Sequence, residues 1–423
     1  MKKCLLIVGV LISLITSCSK SIILLSDEYV SEESNVPNGI IPLADALETL
    51  ADFLSDTSKP LSMTKGDGGR IIVNTGAYFS SGKPTKGTES LPDAYVVNFE
   101  AGQGFAVLGA HSGVAPVIAV TENGNIDPET LTIESQGYPA DTTLFSTKGF
   151  VEDIIRIGAT PSNPDGGGGV MPPTLPDDPD EPPVGPPIPY VHYSATINTT
   201  WDQGSWNEAD LYNNYCYEDF AIGGFTYVFT GCSTTAMAGI VEYNRFPTTL
   251  TVNGKSLNYS AMDAYPIAYY LSSDSAKDDV GRLMGAIYHN VAHLSVTSFG
   301  TCITPAQIEN CMTLFGYSNV VRLQGSSFTS EMVAATKIML QNNKPVFVSA
   351  IPSSDITSAH SWVVDEIKGR ALMTVYCNWG WSGYYDGFFS TTCFNPNGTT
   401  YNFHFRVITY DIPSGQTNVN ITF

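Results

Sequence analysis

Charge is scarce in this 423-residue chain, and positive charge is scarcest. Asp, Glu, Lys and Arg make up 14%, with 20 Lys and Arg against 41 Asp and Glu. The resulting net charge of −21 excludes nucleic acid as a partner, because phosphate binding needs a basic face. Beyond the N-terminus there is no apolar run long enough to span a bilayer as a helix. No internal repeat is visible, which sets repeat arrays aside. Residues 41–160 lack cysteine and carry one histidine, His111, so nothing in that stretch looks catalytic. What is present points elsewhere. A hydrophobic content of 43% rules out a wholly disordered chain. With 22 Tyr, 20 Phe, 38 Gly and 26 Pro, the composition leans towards a β-rich protein outside the cytoplasm. The length predicts two or three domains, each able to bury a core.

Lys2 and Lys3 precede an apolar run from Leu5 to Ile15, the pattern of a signal peptide over residues 1–17. The run ends in Leu14-Ile15-Thr16-Ser17-Cys18, which resembles a bacterial lipobox. That likeness implies a lipid on Cys18, removal of Cys4 with the signal, and a membrane contact made only through the lipid. Buried acyl methylenes hold at ~0.8 kcal/mol each. The expectation is an outer-membrane lipoprotein, periplasmic or at the cell surface and open to release after activation, in a compartment that permits disulfides.

Residues 18–40 are Ser/Glu-rich and read as a tether. Leu43, Leu47, Leu50, Phe53 and Leu54 follow helical spacing, and strands are predicted at Arg70–Asn74, Ala94–Phe99, Gly104–Gly109 and Pro116–Val120. This makes 41–160 a small α+β unit. Residues 161–190 hold eleven Pro and five Gly plus five Asp or Glu, with no basic residue, and read as a charged, extended linker open to proteases. The acidic residues lack the ligand spacing of a calcium loop. Residues 191–423 form the third block. Helical patterns at 232–245, 276–292, 304–314 and 329–341 precede strand patterns at 345–351, 361–367, 370–377, 384–390 and 403–410. Helices first and strands later predict an α+β domain with a largely antiparallel sheet.

The chemistry is concentrated in this block. Gly231-Cys232-Ser233-Thr234-Thr235-Ala236 puts Cys232 at a helix N-terminus, where unpaired N–H groups stabilise a thiolate and can polarise a carbonyl oxygen. Taken alone, the same segment equally fits a small cysteine packing a helix start. Further on, His360 stands at the mouth of an apolar strand after Ala359, and Asn378 opens Asn378-Trp379-Gly380-Trp381. The order Cys, His, Asn, with 128 residues between the first two, lies near the spacing of papain-like enzymes. In that chemistry His draws the thiol proton, forms a thiolate–imidazolium pair and later protonates the leaving amine, while the Asn amide orients the imidazole.

Several further segments share one likeness. They are Trp201-Asp202-Gln203-Gly204, Gly231-Cys232 to Phe246-Pro247, Phe299-Gly300-Thr301-Cys302 and Pro345-Val346-Phe347-Val348. Ala359-His360 to Gly369, and Asn378-Trp379-Gly380-Trp381 to Asp386-Gly387-Phe388-Phe389, complete the set. Together they resemble the streptopain family of papain-like cysteine peptidases, of the lipoprotein type found in Bacteroides and Prevotella. The resemblance implies Cys232, His360 and Asn378 as catalytic residues, Trp379 and Trp381 as active-site aromatics, and Cys302 and Ala359 at the substrate cleft. It implies a propeptide domain in 41–160 that covers the cleft and is removed on activation. Protein or peptide substrates follow, with no cofactor or metal. Ser233 and Thr234 stand where the family usually has Val and Ala. Where streptopain carries an oxyanion-hole Gln on its Pro345 strand, this chain has Ser349; Gln203 is the other donor by papain-like logic, and ranks first.

His289 and His293 have the i, i+4 spacing of zinc ligands, but residue 290 is Asn and no third ligand is evident, so packing is expected. Cys216, Cys302, Cys311, Cys377 and Cys393 are five, so at least one stays unpaired within the chain. Two other functions use the same residues: a catalytically inactive adhesin or binding lipoprotein, and a Cys-dependent acyl transferase.

Overall fold

The computed structural model describes residues 39–57, 61, 69–78, 92–111, 114–126, 133–134, 189–220, 224–291, 295–297, 300–352, 359–396 and 399–423. The signal segment with Cys4 and Cys18, the linker up to residue 188, and His293 lie outside them. The chain divides into two compact units, Met1–Pro186 and Pro187–Phe423.

In the first unit, helix α1 (Leu43–Leu54) buries Leu50, Phe53 and Leu54 of the predicted stripe together with Ala46, and leaves Leu43 and Leu47 half-buried. It packs on an antiparallel sheet of β1 (Ile72–Tyr78), β2 (Ala94–Phe99), β3 (Phe105–Gly109) and β4 (Val117–Thr121), in that order. Strands β2 to β4 are buried throughout, which is why they read as continuous apolar runs. Arg70, 2% exposed, meets Glu122 at 2.6 Å and lies over the Phe99 ring.

The second unit is the predicted α+β domain. Its helices are α2 (Cys232–Asn244), α3 (Asp274–Tyr288), α4 (Pro305–Leu314) and α5 (Ser330–Gln341). Its sheet uses β5 (Val191–Ser194), β6 (Ser318–Gly325), β7 (Val346–Pro352), β8 (His360–Gly369), β9 (Met373–Asn378), β10 (Gly387–Ser390) and β11 (Tyr401–Asp411). The order is β10-β9-β8-β7-β11-β6, every pair antiparallel, with β5 added beside the far half of β8. A short parallel pair, Thr249–Val252 with Asn418–Ile421, lies apart.

Helix α2 is buried from Ser233 to Glu242, because it runs through the centre and packs on β8. Its small residues, Ser, Thr, Ala and Gly, let neighbours approach on every side. Helix α3 stops at Tyr288, four residues short of the sequence expectation. There the His289 ring turns back to the Tyr215 carbonyl at 2.8 Å and stacks on Phe423 with centroids 4.4 Å apart. Its role is packing, as expected. Burial holds its pKa below the usual histidine value. Cys216, Cys311, Cys377 and Cys393 are buried, and neither these four nor Cys232 is in a disulfide. No helix among the described residues is long and apolar enough to cross a membrane.

Candidate active site

Cys232 is the first residue of α2, and Gly231 caps it with φ 86°, a conformation that favours glycine. A Cβ at Gly231 would also come within 2.9 Å of the Thr301 carbonyl oxygen, so the turn into the helix admits no side chain. Thr301 is anchored in turn by its hydroxyl on the Phe229 carbonyl at 2.5 Å. On the other side, the Gln203 carbonyl accepts from the Thr230 N–H at 2.9 Å and from its hydroxyl at 3.1 Å. The Trp201–Gly204 segment is thus stitched to the residues just before the thiol.

His360 begins β8, and two observations link the chain around it to the chain around Cys232. The hydroxyls of Ser233 and Ser361, the residues that follow each in sequence, lie 2.8 Å apart. The Tyr401 ring stands 5.5 Å from the imidazole, and its hydroxyl is pushed above the usual range first by burial and then by the Cys232 sulfur. His360 is 6% exposed, among four near-parallel rings: Trp381 at 4.6 Å, Tyr401, Trp379 at 6.0 Å and Trp362 at 6.3 Å.

Its Nε2 is 3.0 Å from the Trp379 carbonyl oxygen. A carbonyl only accepts, so the bonded nitrogen carries the hydrogen, and in the neutral ring Nδ1 is then the basic site. Burial lowers the imidazole pKa from 6.5 to about 4, partly offset by that hydrogen bond. The ring is neutral at pH 7.

Asn378 ends β9, 8% exposed, and does not act as the simple papain-like pattern implies. Its Nδ2 donates to the Thr199 carbonyl at 2.8 Å, and its Oδ1 accepts from the Gly380 N–H at 3.2 Å. The amide is committed to main chain, and the orienting bond to His360 comes from Trp379 next door. The two are linked, since the Trp379 carbonyl and the Gly380 N–H belong to one peptide. Gly380 has φ 73°, and its missing side chain faces Thr235 of α2.

The remaining predicted residues separate by position. Trp379 is fully buried, edge-on to Phe389 at 85° and packed on Trp362, so it belongs to the core. Trp381 is half-buried on His360 and forms the site's wall. Gln203 lies half-buried on the segment stitched to the Cys232 turn. Ser349 lies on β7 opposite Ser361, 4% exposed, its hydroxyl without a hydrogen-bond partner among the described residues. Residues directly opposite share a face, so Ser349 is in the packed layer with the Ser361–Ser233 contact. Ala359 is exposed just before β8, and Cys302 ends the short strand Gly300–Cys302, its side chain outside the described set. Tyr401, Ser361, Thr199 and Asp386 also belong to the site. Tyr401 falls in the aromatic alternation of β11, which marks a strand and not a site. Asp386 stood within a recognised motif without a role.

His360 is expected to titrate near pH 4 in the intact protein, followed by its imidazole NMR signals, with Nε2 protonated at pH 7. Because its folded pKa lies below the unfolded value of about 6.5, its contribution to stability is present above that pH. The contribution fades as pH falls from there towards 4. His360→Gln should flatten that part of the stability–pH curve; an unchanged slope would contradict the burial.

The Peptidase C10 family model matches residues 206–389, a range that includes Cys232, His360 and Asn378. A fragment of Prevotella intermedia prointerpain A, solved as a mutant, is similar at 17% identity and a TM-score of 0.50. The match covers 81% of this chain and all of that one, and shows likeness of fold. Active wild-type Prevotella intermedia interpain A, a cysteine protease, matches at 17% identity with a TM-score of 0.42, over 51% of this chain and 94% of that chain. No curated protein matches the sequence. With the helix-borne cysteine, the strand-borne histidine and the antiparallel sheet that carries it, the C-terminal domain of this chain is a cysteine-type peptidase domain similar to the Peptidase C10, or streptopain, family.

Proposed function

We propose that the protein is an extracytoplasmic cysteine endopeptidase made as a lipid-anchored zymogen, with Cys232 as nucleophile and His360 as proton carrier. The observation that carries this reading is the Nε2–H of His360 held on the Trp379 carbonyl, which leaves Nδ1 as the base beside the start of α2. The thiol proton moves to Nδ1 and the sulfur attacks the scissile carbonyl carbon. The oxyanion forms against the Cys232 N–H at the helix N-terminus and the Gln203 amide. As the C–N bond breaks, the imidazolium returns its proton to the leaving amine and a thioester remains. Water, deprotonated by the same Nδ1, then releases the acid.

Burial disfavours the imidazolium, while the start of α2 favours the thiolate; the thiolate–imidazolium pair is set by the balance of the two. Asn378 acts through the peptide that bears the Trp379 carbonyl. Gln203 is the better oxyanion donor, because Ser349 is buried in the layer beneath α2.

Residues 41–160 are the propeptide and 161–190 the activation segment, cleaved by the enzyme itself or by another protease. The likeness to prointerpain A supports this, since 81% of the chain exceeds what the 237 residues of Pro187–Phe423 supply. Cys18 carries the lipid, which places the precursor at the outer membrane.

Residues 19–423, incubated under reducing conditions with casein, should cleave it and process themselves between 150 and 200, and an epoxide thiol inhibitor should label Cys232. No cleavage, no processing and no label would end the peptidase reading; label with acylation of an added amine but no hydrolysis would favour a transferase. Cys232→Ala should leave the precursor intact, and continued processing would implicate a second protease. Gln203→Ala should lower kcat by roughly a hundredfold or more, about 3 kcal/mol of transition-state stabilisation; Ser349→Ala should change kcat far less. In cells fed labelled palmitate the full chain should take up label and Cys18→Ser should not; equal labelling would refute the anchor.

A further inference from the structure

The bond that orients His360 ends on a main-chain carbonyl, and a carbonyl is aimed only as well as its peptide is held. Trp379 lies in the turn between β9 and β10, where no strand pairing holds it. Both of its flanking peptides are nevertheless tied. On one side the Gly380 N–H donates to Asn378, which is anchored on Thr199. On the other the Trp379 N–H donates to Asp386 Oδ1 at 2.8 Å. Asp386 comes from the far end of the same turn, 2% exposed, and its own N–H donates to the Gly383 carbonyl at 3.4 Å. The middle of the turn is fixed from outside by Ser382, whose N–H reaches the Trp201 carbonyl at 3.2 Å and whose hydroxyl reaches Asp202 at 2.9 Å.

We propose that Asp386 is a positioning residue for His360, its carboxylate closing the 379–386 turn on the Trp379 N–H so that the Trp379 carbonyl receives Nε2 and Nδ1 stays directed at Cys232. This rests on the peptidase reading of the site. Burying a carboxylate costs several kcal/mol unless donors reach it, and a carboxylate holds an N–H more firmly than a neutral acceptor does. Its charge is felt nearby: Asp365 and the Cys377 thiol are both pushed up, by burial first and by Asp386 among other causes. Function here depends on where the acceptor oxygen stands. Asparagine keeps an oxygen at that place without the charge, whereas glutamate keeps the charge and moves the oxygen outward by a methylene.

Asp386→Asn, Asp386→Glu and Asp386→Ala would be made in residues 19–423. They would be compared with the parent protein on a fluorogenic peptide amide with an apolar residue second on the acyl side. The downfield His360 Nε2–H proton resonance would be recorded for each. The Ala and Glu variants should lose at least tenfold in kcat with KM within about twofold, and the Nε2–H signal should broaden or exchange away. The Asn variant should stay within about threefold of the parent and keep the signal. If the Ala variant does not fold, the Asn and Glu variants decide between them. Parent-like kcat and a sharp Nε2–H signal in the Glu variant would overturn the proposal, and so would an Asn variant as impaired as Glu. A parent protein without activity would end the peptidase reading instead, while the Nε2–H signal would still judge Asp386.

Discussion

The active site depends on one buried hydrogen bond, from His360 Nε2 to the Trp379 carbonyl at 3.0 Å. An imidazole has two chemically different nitrogens, and its usefulness depends on which one is bare. A side-chain amide could present either its oxygen or its NH2 to the ring, but a main-chain carbonyl can only accept. Choosing a carbonyl as partner therefore selects the tautomer without any titrating group. The two ends of the bond are held by different means. His360 is held by sheet register, opposite Ala350 of β7. Trp379 is held by side chains, because its turn has no strand neighbours of its own.

The aromatic rings around His360 have two opposed effects. Trp381, Tyr401, Trp379 and Trp362 keep the ring plane fixed and exclude water from its hydrogen bond. The same exclusion disfavours the imidazolium and lowers the pKa to about 4. Orientation is obtained at the expense of resting charge. Buried α2 makes a similar compromise: Gly231, with no side chain, lets the helix start against Thr301, and small residues behind Cys232 let β8 approach closely enough for the Ser233–Ser361 contact.

Much of this was legible in the sequence. Helices α2, α4 and α5 fall within one residue or so of their periodic patterns, and the five later strands of the sheet, β7 to β11, follow their predicted patterns in order. Strand β6 was not, because as an edge strand it is only half-buried and its Ser-Asn-Val-Val-Arg-Leu-Gln-Gly carries a weak alternation. Short β5 was missed for a similar reason: four partly exposed residues complete one edge of β8. At the site, Cys232 and His360 stood out because each lies at the start of a regular element with a recognisable flank. Tyr401 and Asp386 did not, since an aromatic in an alternating strand and an acid before a glycine have ordinary explanations.

The sequence by itself determined which reactive groups this protein has and in what order they come. Residue type and local spacing carry that information, from the glycine before Cys232 to the tryptophans around Gly380. Which atom bonds to which was decided only by the tertiary structure. Cys232 and His360 are 128 residues apart, and their neighbours meet because β8 takes one register against β7, where a slip of one residue would turn His360 to the other face. Asn378 could have reached His360 directly on the sequence evidence. It faces Thr199 and Gly380 instead, because the turn after β9 brings main-chain groups to both ends of its amide. Hydrogen-bond partners are chosen by distances of about an ångström, and those distances exist only once the chain has closed.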